Sequence, residues 1–285
     1  MIPNSNKKIL KYCSPSKEKN TFTCFSKRAL KKIANKWNKS YKKNKIIFDD
    51  NTSKEKLWNG INNKLKKQCT HEYCWTKQKF IKKNSMKKYF RPVKPKSWKK
   101  NNKEWLSTLD ILRVMKQYEK KYNNFIFIGA VPIDFDKKLG FGQCVIDELC
   151  KINIKSLIKK GKTKIGIVFN LDSHDKPGSH WVSFFGDLDK EKLYYYDSYG
   201  YEPPNEVNVL MERLQSQGEK IEKDLKIFKN NIRHQYKSSE CGTFCMNFII
   251  EMLKNTDFDT FIKNNVNDDV MNANRDIYYL DEDNV

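Results

Sequence analysis

A cysteine at the start of an apolar helix is the residue best placed to do chemistry in this sequence. Residues 233–240 are polar and lack periodicity, which indicates a loop, whereas from Cys241 onward apolar residues recur every three or four positions, which predicts a helix. Free N–H groups and the helix dipole favour an anion in the first turn, so a thiol there ionises more easily. Cys241 is therefore a candidate nucleophile, although taken alone it fits a buried structural cysteine better.

A histidine and an aspartate lie at matching ends of a predicted hairpin. The strand candidates 180–186 and 192–197 are joined by the short polar turn 187–191. In an antiparallel pair, the start of the first strand lies beside the end of the second, so His180 and Asp197 should meet. The carboxylate would then orient the imidazole and stabilise its protonated form. Separately, His180 fits a core or edge histidine and Asp197 fits a turn residue.

Two further residues would complete a thiol-based site. Gln235 precedes Cys241 by six residues in the same loop. Its amide could supply one oxyanion donor and the backbone N–H of Cys241 the second, although alone it would be an ordinary loop glutamine. Trp181 follows the candidate base directly, so it points to the opposite face or caps the cleft. As a wall of the cleft it would restrict the substrate to residues without side chains.

The elements that must position these residues predict an α+β fold. It has an antiparallel-rich central sheet packed on the helix that begins at Cys241. The other predicted strands are 125–131, 164–170 and 225–229. The other helical patterns are 105–122, 144–160, the segment after Pro203-Pro204, 256–264 and 266–277, followed by an acidic, frayed C-terminus.

The first third of the chain differs sharply in charge from the rest. Residues 1–100 carry 30 Lys and Arg against 5 Asp and Glu, whereas residues 101–285 carry 26 against 29. Short apolar spacings around 30–37 and 57–65 predict amphipathic helices, and residues 91–96, with two prolines and three cations, predict a linker. We therefore expect residues 1–100 to form a basic, partly helical extension and residues 101–285 to form the catalytic domain. The positive charge suits nucleic acid, an anionic surface or simple solubility.

The cysteines bear on metal binding and on the redox environment. Cys69-x-His71-x-x-Cys74, with Cys13 or Cys24 as a fourth ligand, matches no strong zinc spacing, so we predict no metal site. The first 25 residues lack a secretory signal, and no run of 18 apolar residues occurs. We therefore expect a protein that is not secreted, with no membrane span and with all eight cysteines reduced.

The residue order His–Asp–Gln–Cys resembles a known protease clan. It is spelled GSHW at 178–181, YYYDS at 194–198 and HQYKSSECGTF at 234–244, and WLSTLDI at 105–111 is similar to the helix that opens that clan's catalytic domain. The clan is that of adenovirus proteinase and the ubiquitin-like-protein (SUMO) proteases, including maturation proteases of large DNA viruses. The resemblance covers residues 104–255. It implies that Cys241 is the nucleophile, His180 the base, Asp197 its orienting acid and Gln235 an oxyanion donor.

The resemblance also implies a substrate class. We expect cleavage after small residues, of the Gly-Gly or Ala-Gly type, by a viral protease that processes structural polyproteins in the virion or the host cytoplasm. Two alternatives are a protease acting on ubiquitin-like conjugates and an inactive, nucleic-acid-binding scaffold. No cofactor is required, but DNA could activate the enzyme through residues 1–100, as in related adenoviral proteases, with an affinity that falls steeply with salt.

Overall fold

The computed structural model describes residues 12–17, 22–82, 85–264 and 266–282. The prediction of no secretory signal concerns residues 1–25, of which 1–11 and 18–21 lie outside the described ranges. The helices are α1 (Lys27–Ser40), α2 (Lys54–Leu65), α3 (Glu72–Trp75), α4 (Thr108–Lys121), α5 (Asp147–Cys150), α6 (Ile154–Lys159), α7 (Asn205–Glu219), α8 (Cys241–Leu253), α9 (Phe258–Lys263) and α10 (Asp268–Tyr278). The strands are β1 (Phe125–Pro132), β2 (Lys164–Asn170), β3 (Trp181–Asp187), β4 (Lys192–Tyr196) and β5 (Lys226–Lys229).

The five strands form one mixed sheet in the order β1-β2-β3-β4-β5. The pair β3/β4 is antiparallel, as predicted for the hairpin, and β2/β3 is antiparallel as well, whereas β1/β2 and β4/β5 are parallel. A parallel neighbour requires a crossover connection, and α5 with α6 and then α7 supply the two crossovers. The α+β class is confirmed. The single helix predicted over 144–160 is wrong, because residues 151–153 separate α5 from α6.

Helices cover both faces of the sheet. One face carries alternating apolar side chains from β2, β3 and β4 that pack with α7. On the other face α8 lies against β2 and β3, and the Phe248 ring stacks on Tyr196 with centroids 4.9 Å apart. Gly166 permits this approach, since a Cβ there would lie 3.2 Å from Ile249 and 2.8 Å from the Phe125 ring. Among the described residues, no helix is both long and apolar enough to cross a bilayer.

The chain divides into two compact units, one of residues 1–94 with 276–285 and one of residues 95–275. The smaller unit has its own core, in which Trp75, Phe25 and Phe90 are buried together with Leu280 from the C-terminal segment. The boundary between the units lies after Lys94, inside the range 91–96 predicted as a linker, and residues 92 and 94 also pair with the C-terminal segment. Leu280 donates to the Pro92 carbonyl at 2.7 Å and accepts from Lys94 N–H at 2.9 Å. Two prolines exclude a central strand, but they do not prevent pairing with a single C-terminal segment.

Six of the eight cysteines form disulfides, which corrects the prediction that all are reduced. The pairs are Cys13–Cys24, Cys69–Cys74 and Cys144–Cys150, and the free thiols are Cys241 and Cys245. Cysteine chemistry therefore no longer supports the expectation that the protein is not secreted. Cys69 and Cys74, considered above as zinc ligands, bind each other, and His71 instead caps α3 by accepting from the Cys74 N–H.

Candidate active site

The hairpin brings His180 and Asp197 into direct contact. His180 immediately precedes β3, Asp197 immediately follows β4, and Ser183 pairs with Tyr196 between them. His180 Nε2 lies 2.7 Å from Asp197 Oδ1, and the carboxylate is 1% exposed. Because an ionised carboxylate only accepts hydrogen bonds, Nε2 carries the proton and Nδ1 remains for another partner.

The partner of the imidazole is Cys241. This residue is the first of α8, and its sulfur lies within hydrogen-bonding reach of the His180 ring. Burial lowers the pKa of His180, but hydrogen bonds to Asp197 and Cys241 and their negative charges outweigh it and raise the pKa to about 9. The imidazole is therefore held in its protonated form at neutral pH, between a carboxylate and a sulfur.

Asn230 holds the backbone of Asp197 and was missed by sequence reasoning. Its Oδ1 accepts from the Asp197 N–H and its Nδ2 donates to the Asp197 carbonyl, both at 2.8 Å. The side chain is buried, and it follows β5 directly. The only available signal was its position at the end of a predicted strand, because the pairing of β5 with β4 is a tertiary contact.

Gln235 is fixed in the loop before α8 and is fully buried. Its Oε1 accepts from Ser198 Oγ at 2.6 Å, and its Nε2 donates to the Lys237 carbonyl at 2.5 Å. Its backbone N–H also donates to the Ser198 carbonyl at 2.8 Å. Since Ser198 follows Asp197, the predicted oxyanion loop and the predicted acid are joined through adjacent residues.

Trp181 forms part of the wall of a groove of about 620 Å³. Its indole N–H donates to the Leu106 carbonyl at 3.0 Å, and Trp105 and Gly178 line the same groove. Trp181 is 6% exposed, whereas Trp105 is 46% exposed. Trp181 therefore lines a groove whose lining does not include His180 or Cys241, and its role as a wall of the substrate cleft stays a prediction.

A buried ion pair anchors the residue directly before Cys241. Arg275 donates from Nε and Nη2 to the two carboxylate oxygens of Glu240, each at 2.9 Å, and both side chains are almost fully buried. Thr243 and Asn272 also donate to Glu240, each at 2.9 Å. Nothing in the sequence identified Arg275 as the partner of Glu240.

Removing either partner of this ion pair should destabilise the fold strongly. We expect Arg275→Met to lower the free energy of unfolding by about 3–5 kcal/mol, because the Glu240 charge stays buried without its counterion. Urea unfolding monitored by circular dichroism measures this. The double variant Glu240→Gln/Arg275→Met should recover part of the loss, and a single variant within about 1 kcal/mol of wild type would contradict the argument.

Comparisons with known proteins find relatives over most of the chain. The chain is 32% identical over 292 residues to "Putative thiol protease R355" of Acanthamoeba polyphaga mimivirus, covering 95% of this chain and 93% of that protein. It is 30% identical over 182 residues to a cysteine protease of African swine fever virus, covering 60% of this chain and 66% of that protein. A crystal structure of the African swine fever virus protease has the same fold, with a TM-score of 0.67 and 22% identity over 96% of this chain and 98% of that one.

The profile of the Ulp1 protease family, C-terminal catalytic domain, matches residues 159–285. That range contains His180, Asp197, Gln235 and Cys241. Together with the near full-length relative, this match decides the assignment: the chain belongs to the Ulp1-like family of cysteine proteases, among which it is related to viral thiol proteases.

Proposed function

We propose that the chain is a thiol endopeptidase that cleaves after small residues and processes viral structural polyproteins, with Cys241 as nucleophile and His180 as base. The Cys241 thiolate adds to the peptide carbonyl carbon, and the S–C bond forms as the carbonyl π electrons move to oxygen. Collapse of the tetrahedral intermediate breaks the C–N bond, and imidazolium 180 protonates the leaving amine. Water, deprotonated by the same imidazole, then hydrolyses the thioester and regenerates the thiol.

The observation that carries this proposal is the position of the His180 ring between Asp197 and the Cys241 sulfur. The carboxylate fixes the tautomer in which Nδ1 faces the sulfur, so one proton can pass between ring and thiol without reorientation. The raised pKa of His180 keeps the ring protonated until the leaving amine requires the proton.

Gln235 and the Cys241 N–H are proposed to stabilise the oxyanion. The Gln235 amide has two N–H groups, of which one donates to the Lys237 carbonyl. The other could point at the developing charge. Cys241 begins α8, so its N–H has no acceptor within the helix and its orientation follows the helix axis.

The proposed preference for small residues rests on the narrow surroundings of the sulfur. Cys241 is 2% exposed, and Trp181, which follows His180 in the chain, lines a groove together with Trp105. Glycine has no side chain to clash with such walls and allows the closest approach of a substrate backbone. The arrangement therefore suits a Gly-Gly or Ala-Gly segment presented in extended form.

Peptide cleavage tests the proposed function. We expect the full-length enzyme to cut peptides with Gly-Gly-x or Ala-Gly-x sites, and to cut matched peptides with Val in place of the residue before the scissile bond at least ~10-fold more slowly. Some relatives are named "SUMO-1 cysteine protease", so a C-terminal fluorogenic adduct of SUMO is the second substrate. Rapid turnover of that adduct alone would favour deconjugation over polyprotein processing, and failure to cut either class would contradict the proposal.

The activity should have an alkaline limit set by His180. The pKa of this group is raised to about 9, so the imidazolium persists above neutral pH and is lost as pH rises through about 9. We therefore expect kcat/KM to fall as pH rises through about 9, which gives the pH profile a descending alkaline limb. Asp197→Asn should move the limb to lower pH by roughly one unit, because the amide carries no negative charge. A limb that stays in place in this variant would show that Asp197 does not act on the base.

We also propose that residues 1–100 bind DNA through phosphate contacts and that the protease acts in the virion or in viral factories of the host cytoplasm. The net charge of +25 over residues 1–100 and the viral relatives support this.

A further inference from the structure

Ring and guanidinium groups form a chain of contacts beside the base. The Tyr199 ring stacks on the His180 imidazole, with centroids 4.6 Å apart and planes 23° from parallel. The Arg233 guanidinium lies 5.2 Å from the Tyr199 centroid and 4.9 Å from the centroid of Tyr236. Sequence reasoning singled out none of Tyr199, Arg233 and Tyr236.

Hydrogen bonds connect the members of this stack to the site: Tyr199 to Asp197, and Arg233 to the loop that contains Gln235. Tyr199 N–H donates to Asp197 Oδ1 at 2.9 Å, on the same oxygen that accepts from His180. Arg233 Nε donates to the Gln235 carbonyl at 2.8 Å. The stack therefore spans the gap between the hairpin that carries the base and the loop that carries Gln235.

We infer that Tyr199 is a positioning residue that acts through His180, and that Arg233 holds Tyr199 in place. The stacked ring restricts rotation of the imidazole out of the line from Asp197 to Cys241, and its π face attracts the imidazolium more than the neutral ring. This inference rests on the proposed function, because it assigns to Tyr199 a task that only a catalytic His180 requires.

The charged groups around this stack include Asp197 and Cys241, which act on His180, and the Arg233 cation, which lies on the Tyr199 ring. Asp197 and Cys241 both favour the protonated imidazole. A tyrosine ring face contributes in the same direction, so its removal should favour the neutral imidazole. The alkaline limb of kcat/KM should then move to lower pH, whereas a loss of folded protein would lower the rate at every pH without moving the limb.

The test compares Tyr199→Leu with Tyr199→Phe in the full-length enzyme. We expect Tyr199→Leu to lower kcat/KM about tenfold or more and to move the alkaline limb down by about half a pH unit. Tyr199→Phe keeps the ring and should restore both most of the rate and the position of the limb. Tyr201→Leu is the matched control, because Tyr201 is exposed and its ring touches Tyr199 rather than His180.

A double-mutant cycle tests the part assigned to Arg233. Arg233→Met alone should lower kcat/KM by less than Tyr199→Leu. The two losses should be less than additive, because the support of Tyr199 can be lost only once, whereas the hydrogen bond to the Gln235 carbonyl is lost in either background. Additive effects would overturn the coupling between the two residues.

Two outcomes separate this inference from the proposed function. If Cys241→Ala abolishes cleavage but Tyr199→Leu leaves the alkaline limb in place, or if Tyr199→Phe is as impaired as Tyr199→Leu, the inference is wrong and the proposed function stands. If Cys241→Ala retains full activity, the proposed function itself is wrong.

Discussion

Replacing Cys241 with alanine should abolish peptide-bond hydrolysis, with a loss of roughly 10⁴-fold or more in kcat/KM. The reason is that Cys241 and Cys245 are the free cysteines, and Cys241 is the one whose thiol interacts with His180. Substrate binding should survive, since alanine is smaller than cysteine and leaves the groove walls in place. Product release from a cleavable peptide, followed by chromatography, measures the loss.

Cys245 offers a matched control in the same helix, one turn further along. It is fully buried, and burial raises the pKa of its thiol well above the usual value, so it should be inert. We expect Cys245→Ala to lower stability modestly and to leave kcat unchanged. Iodoacetamide should inactivate wild type and Cys245→Ala alike. Normal proteolysis by Cys241→Ser, or an active enzyme after alkylation of Cys241, would contradict the mechanism.

Replacing Gln235 with alanine should lower kcat by about 10²–10³-fold, the effect typical of removing one oxyanion donor. KM should change little, because the donor acts on charge that develops only in the transition state. Gln235→Glu is a sharper variant. The glutamate keeps an acceptor for the Ser198 hydroxyl, but it has no N–H to donate and adds a negative charge. The loss in kcat should therefore be at least as large as in Gln235→Ala.

Ser198→Ala separates an oxyanion role from loop anchoring. This variant removes the 2.6 Å hydrogen bond to Gln235 Oε1 and leaves both amide N–H groups of Gln235. We expect a loss smaller than that of Gln235→Ala. Equal losses in the two variants, or a change confined to KM, would mean that Gln235 holds the loop and does not stabilise the transition state.

Much of the candidate site was accessible from local patterns in the sequence. The turn at 187–191 set the register that brings His180 and Asp197 together, and the change from polar loop to apolar repeat located the first residue of α8. Both signals depend on residues close together in the chain. The parallel edges of the sheet were missed, because crossover connections leave no periodic trace of the strand they return to.

The residues that support the site could not be identified from the sequence for the same reason. Arg275 reaches Glu240 across 35 positions, and Asn230 reaches Asp197 across 33. Neither has a local pattern around it, since the contact depends on how α10 and β5 pack. The disulfides show the same limit: cysteine spacing did not reveal that Cys13 meets Cys24 or that Cys144 meets Cys150.

The sequence by itself determined the order of the elements and the α+β class, because both depend on spacing along the chain. Its motifs carry the resemblance to a protease clan, and that resemblance implies the four residues of the proposed site. Only the tertiary structure decided what surrounds them. Three sets of contacts join residues from separate elements: the buried Arg275–Glu240 ion pair, the hydrogen bonds of Asn230 to Asp197, and the stack of Tyr199 on His180. Such contacts follow from packing in three dimensions, which periodicity cannot encode.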